Sequence, residues 1–248
     1  MSGHSHYATI KRQKNANDAA RGNTFSKMAR AITIAVKGGG GADPNFNFKL
    51  RIAMDKARSL NMPKANIERA ISNAGGGTSF DEVTYEGFGP LGVAVIVETA
   101  TDNRNRTGQE IKNIFERAGG RLAGPGAVSF NFVSKGQLLI DKDTDSETQM
   151  LKLIDLGVDE MEETEDGIEI FVSSDKLSTI RKALEDAGFH IKETELVQKP
   201  KTYQTITNPA EVKKAISFLD VLNEQEDVQK VFANLDIPDE VLTSTQKS

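Results

Sequence analysis

The chain has 248 residues, 38% hydrophobic and 27% charged, with 31 Lys+Arg against 36 Asp+Glu for a net charge of −5. With no cysteine and only His4, His6 and His190, it cannot build a disulfide frame, a thiolate zinc site or a cysteine nucleophile, and no metal or cofactor is expected. The longest apolar run, 93–97, falls far short of the ~20 residues that cross a bilayer, and no hydrophobic stretch follows Met1, so a cytoplasmic protein without a membrane partner is expected.

The charge is segregated. Residues 1–70 hold 13 Lys+Arg and 4 Asp+Glu, a net of +9, which leaves 71–248 at −14. Within GHSHYATIKRQKNANDAARGNTFSKMARAITIAVKGGGG at 3–41, seven cations (Lys11, Arg12, Lys14, Arg21, Lys27, Arg30, Lys37) stand against one acid, Asp18. A cationic surface concentrates polyanions while an acidic body repels them, so nucleic acid is the expected partner of this end. His4, His6 and Tyr7 lie beside the charges as stacking groups. The competing reading is a helical domain whose Lys- and Arg-rich face is merely solvated.

After the polar start, Asn23 or Thr24 caps a helix with Phe25, Met28, Ala29, Ile32 and Val36 on one stripe, ended by the glycines at 38–41 as a stop or hinge. Asp43-Pro44 reads as cap-then-proline for a second helix, its apolar side Leu50, Ala53, Ala57 and Leu60, with Lys49, Arg51, Lys56 and Arg58 facing outward. Pro63 opens a short third helix carrying Ile67, Ala70 and Ile71. A strand at 91–99 buried on both faces follows, then a helix opened by a Thr107/Glu110 capping box with Ile111, Ile114, Phe115 and Ala118 inward, then a strand in which Val128, Phe130 and Phe132 alternate with polar residues. From 137 to 197 the order is βαββαβ, a ferredoxin-like sequence, its first helix presenting Met150, Leu151 and Ile154 inward. Residues 135–198 carry 7 basic and 17 acidic side chains, a poor surface for phosphate. A strand at 202–206, a helix capped by Asn208 and a strand at 228–235 complete the unit begun at 91.

The expected fold is therefore α+β: an N-terminal three-helix domain plus two ferredoxin-like α+β domains, one inserted into the other. The boundaries are 1–77 for the basic helical domain, 78–134 with 200–240 for the discontinuous domain, and 135–199 for the acidic insert.

GFGPLG at 87–92 matches the letters of a dinucleotide fingerprint, but it precedes its strand and contains Pro90, so it reads as a turn. The glycines at 38–41 lack the Gly-Lys-Ser/Thr of a phosphate loop. TDNRNRT at 101–107 is more telling, because arginine forks and asparagine amides suit phosphate oxygens and base edges. Alternatively its Asx residues make turns and its arginines pair with neighbouring acids, or the loop serves as the surface against which the basic bundle docks. No nucleophile elbow or isolated carboxylate pair is present, so no enzyme and no small-molecule substrate is expected.

GHSHYATIKRQK at 3–14, RGNTFSKMARAI at 21–32, NMPKANIERAI at 61–71, YEGFGPLGVAVIVE at 85–98 and TDNRNRT at 101–107 closely resemble the YebC/PmpR family of bacterial proteins and their mitochondrial relatives. The resemblance implies a helical domain followed by two α+β domains. It also implies a DNA-binding transcriptional regulator or, alternatively, a ribosome-associated RNA-binding translation factor that assists elongation through stalling sequences and meets ribosomal RNA or tRNA. Where many members have Lys-Trp after Gly-His-Ser, this chain has His6-Tyr7, which keeps the aromatic group but makes one fixed charge titratable. The residues expected to touch nucleic acid are His4, Tyr7, Lys11, Arg12, Lys14, Arg21, Lys27, Arg30, Asn103, Arg104 and Arg106. An interaction scaffold without nucleic acid is the third reading.

Overall fold

The computed structural model describes residues 21–76, 79–158, 160–238 and 240–241, with only the backbone of Arg21. Helix α1 (Arg21–Gly38) packs its stripe, with Ile32 fully buried, against α2 (Phe48–Ser59) and α3 (Lys64–Asn73) around Leu50, Ala57, Met62 and Ile67. It is already helical at Asn23, so that residue does not cap it. Instead the Asn23 amide donates to the Glu224 carbonyl at 2.8 Å.

The start of α2 also differs from the expected one. Asp43 closes an Asx turn by accepting from Asn45 N at 2.8 Å, and helix formation waits for Asn47, whose side chain accepts from Leu50 N at 3.0 Å. Asn47 is completely buried and donates to the carbonyls of Ala35 (2.7 Å) and Gly41 (2.8 Å). A Cβ on Gly39 would lie 2.5 Å from Asn47 Oδ1 and 2.6 Å from the Ala35 carbonyl, while Gly40 and Gly41 have φ of 107° and 99°. The glycine run is therefore a packed stop and not a hinge.

The outer sheet runs β3-β1-β2-β9, all antiparallel. Its strands are β1 (Asp81–Phe88), β2 (Ala94–Thr101), β3 (Arg121–Ala123) and β9 (Val228–Ala233). The short β8 (Gln204–Thr205) and β10 (Leu235–Asp236) pair in parallel beside it. Hairpin β1–β2 holds the centre, and of the four strands expected for this unit only those at 91–99 and 228–235 lie in the sheet, so its four strands run in an order different from the ferredoxin one. One face carries α4 (Arg104–Arg117) and α7 (Pro209–Glu224), with Phe115 and Phe218 edge to face at 5.0 Å. The other face is covered by Val128 and Phe132, which explains why β2 is buried on both sides. Phe130 is not part of an alternating strand: residues Ser129–Asn131 form one 3₁₀ turn, leaving Phe130 73% exposed. The glycines of 87–92 serve close packing, since a Cβ on Gly87 or Gly89 would strike the rings of Phe115 or Phe218 at 2.6 and 2.5 Å.

Between β3 and β8 the chain builds the second sheet, β5-β6-β4-β7. Its elements are β4 (Phe132–Ile140), α5 (Ser146–Asp155), β5 (Glu160–Thr164), β6 (Gly167–Ser173), α6 (Leu177–Asp186) and β7 (Ile191–Pro200). This is the expected ferredoxin-like order. Helix α5 is rotated from its predicted face: Gln149 and Leu153 are buried, whereas Leu151 and Ile154 are 59% and 56% exposed. The buried Gln149 is satisfied, accepting from Asp143 N and donating to the Asp141 carbonyl, each at 2.8 Å.

Candidate nucleic-acid interface

His4, Tyr7, Lys11, Arg12 and Lys14 lie outside the described residues, as does the side chain of Arg21. The other predicted contacts are drawn toward the protein itself. Lys27 donates to the Asn223 carbonyl. Arg30, with a side chain only 15% exposed, reaches Asp227 Oδ1 at 2.7 Å and Glu226 Oε1 at 2.6 Å, and its guanidinium stands 5.4 Å from the Phe80 ring centroid. Asn103 caps α4 by accepting from Arg106 N at 3.1 Å. Thr107, expected as that cap, sits inside the helix and fully buried.

The centre of this arrangement is Asp227, 2% exposed at the side chain. Its Oδ2 accepts from Thr107 Oγ1 at 2.6 Å, Arg106 Nη2 at 2.9 Å and Thr101 Oγ1 at 3.3 Å, while Oδ1 takes Arg30. Burial opposes the charge, but the Thr107 hydroxyl and the two guanidinium groups outweigh it and hold the carboxyl below its ordinary range. Arg106 is in turn held more firmly protonated by Asp227 and by Asp102 at 2.7 Å. Arg30 thus docks α1 on the outer sheet, and Arg106 completes the same node. Arg104 differs, for its side chain stays 64% exposed although its Nε meets Asp81 at 2.8 Å.

A second seam joins α2 to the inserted sheet. Lys56, expected to face outward, bridges Glu193 and Glu195, the latter at 2.8 Å, and Asp55 receives Arg181 Nη2 at 2.8 Å. Phe48 and Ile52 of α2 pack against the insert's core. Among the described residues the helical segment still turns Lys37, Lys49 and Arg69 to solvent, together with Arg58 and Lys64 in exposed pairs with Asp55 and Glu68. Among the described residues no group of His, Asp and Glu is placed to hold a metal ion, and no helix is long and apolar enough to cross a membrane.

Sequence reasoning missed Asp227, Glu86 and Phe46. Glu86 is buried and accepts from the backbone N–H of Gly126, Val128 and Ser129 at 2.8–2.9 Å, which keeps its carboxyl ionised below the ordinary range despite desolvation. Nothing in the sequence marks it, because the strand that carries it reads as a polar lead-in. Phe46 is 83% exposed in the α1–α2 turn, signalled only by an aromatic residue among Asx and Pro.

These features define a class: an α+β protein with a cationic helical head docked by ion pairs on two antiparallel sheets, the second interrupting the first. Residues 5–77 match the family described as TACO1/YebC protein N-terminal domain, and 80–235 match TACO1/YebC second and third domain. The chain belongs to the TACO1/YebC family. It is 41% identical over 249 residues to a "Probable transcriptional regulatory protein" of Dictyoglomus turgidum, covering 98% of this chain and 99% of that one. A protein of the same description from Anoxybacillus flavithermus is 43% identical over 242 residues, covering 95% and 98%. The crystal structure of the conserved hypothetical protein Aq1575 from Aquifex aeolicus superposes with a TM-score of 0.83 at 39% identity, over 91% of this chain and 94% of that one.

Proposed function

We propose that this protein is a regulator of gene expression that binds DNA through its helical segment and catalyses nothing. The observation that carries the reading is charge segregation, +9 in residues 1–70 against −14 beyond, in a fold where the acidic body holds the cationic segment by a few ion pairs and leaves Lys49, Arg69, Arg58 and Lys64 at the surface. The relatives named as transcriptional regulators support it. Arg30 and Arg106 serve docking in this reading, and the contact surface shifts to residues 4–14 and the exposed lysines and arginines of α2 and α3.

Fluorescence anisotropy with duplex DNA between 50 and 200 mM salt, taken as about the range where counterion release is read, tests this. Affinity should fall with a log–log slope of about −0.9 per phosphate neutralised. Charge reversal at Lys11, Arg12 and Lys14 together should weaken binding on the order of tenfold or more. No binding to duplex or to RNA at the lowest salt would refute the proposal, whereas binding to RNA alone, with cosedimentation on ribosomes, would move the protein to translation.

A further inference from the structure

We infer that Phe46 is a stacking platform for an unpaired base, so that the helical segment grips single-stranded or looped nucleic acid in addition to phosphate. The inference rests on the nucleic-acid reading above and adds the kind of strand that is bound. Phe46 is 83% exposed, yet its backbone is fixed from three directions. Asp43 accepts at its carbonyl from Phe46 N (3.1 Å) and Asn47 N (2.9 Å). Arg51 ties down the preceding residues, donating to the carbonyls of Pro44 at 3.1 Å and Asn45 at 3.2 Å. The fully buried Asn47 anchors the following residue to Ala35 and Gly41. A flexible loop would let the ring fold back onto the protein, recovering apolar burial. This loop instead holds it in water.

The backbone that carries the ring is already ordered, so binding costs only the rotation of the ring itself. Its surroundings select the partner. Lys49 is exposed three residues along on the first turn of α2, within a segment holding 13 cations and 4 acids, so a polyanion is favoured over an acidic or neutral protein surface. Paired bases in a duplex do not offer a face to such a ring, but bases in a single strand, bulge or loop do.

The test is anisotropy titration of the full chain and its Phe46→Ala and Phe46→Tyr variants against a single-stranded oligonucleotide and a duplex of the same length. Phe46→Ala should weaken single-strand binding about five- to fiftyfold, leave the duplex within about twofold and leave the salt slope unchanged, because stacking releases no counterion. Phe46→Tyr should restore the affinity. Because the ring is exposed, the melting temperature should stay put, and it serves as the folding control. Equal affinities for variant and parent, with the salt slope intact, would overturn the stacking role alone. Absence of any binding by the parent would overturn both this inference and the reading beneath it.

Discussion

Asp227 carries more of the assembly than its place in the sequence suggests. It stands in EQEDV, one acid among three, and its cationic partners Arg30 and Arg106 lie 197 and 121 residues away, so no local pattern could mark it. TDNRNRT was legible as a special loop, but its chemistry was not, because Arg106 looks the same whether it faces a phosphate or a buried carboxylate. Replacing Asp227 by Asn keeps the shape and removes the charge that both guanidinium groups face. Arg30 keeps Glu226 and Arg106 keeps Asp102, so the loss is that of the charge-assisted hydrogen bonds to Asp227, and Asp227→Asn should cost about 1.5–3 kcal/mol in urea unfolding. The pH dependence has a definite sign. A carboxyl whose folded pKa is depressed contributes stability above its ordinary value and loses it as pH falls through the folded one. The parent should therefore lose stability below about pH 4 more steeply than Asp227→Asn, the difference being read from unfolding midpoints across that range. Parallel curves would show that Asp227 gains nothing from its partners.

Helices and strands were legible where a periodic pattern was long and failed where a polar side chain was recruited from elsewhere. The stripe of α1 and the Asn208-Pro209 start of α7 read correctly from local residues, and Asn208 does accept from Ala210 N at 2.9 Å. Asp43-Pro44 had the right letters for a helix start, but Asn47 could reach both Ala35 and Gly41 across the turn and so took the cap. Thr107 lost its capping role because Asp227 accepts its hydroxyl from another part of the chain. Helix α5 shows the same competition. Met150, Leu151 and Ile154 form a plausible apolar stripe, yet burying Gln149 between Asp141 and Asp143 turns the helix so that Leu153 enters the core. Two substitutions of the same chemistry separate the faces. Leu153→Ala should lose about 2–5 kcal/mol, by transfer and cavity terms, whereas Leu151→Ala should stay within about 0.5 kcal/mol in the same denaturant titration. Similar losses at both positions would mean the predicted face is the buried one.

At the scale of the whole molecule, charge segregation that was visible in the sequence becomes a pair of seams, and the seams decide which cations remain for a partner. The insertion of one α+β unit into the other was also legible, because the elements after residue 200 had no partners of their own: β9 joins the sheet begun before 134 and α7 covers it, whereas the strand read at 202–206 pairs with β10 instead. The β1–β2 hairpin was not, because the strand β1 reads as a polar lead-in, EVTYEGF, whose exposed residues lie in its first half. At the seam between α2 and β7, Lys56 faces Glu193 and Glu195, while Arg181 reaches back to Asp55. Isolated surface pairs contribute little, roughly 0–1 kcal/mol each, but these side chains are partly covered and sit over the packing of Phe48 and Ile52 on the insert's core. Lys56→Glu would set a third carboxylate beside two others without touching any of the cores, and like charges at that distance push the surfaces apart. Amide exchange in α2 and β7 should then quicken while the buried strands β2 and β6 keep their protection. Combining it with Glu193→Lys restores one opposite-charge pair and should recover part of the protection. If the single substitution leaves exchange in α2 and β7 unchanged, apolar packing alone holds this seam, and Lys56 would be as available to phosphate as Lys49.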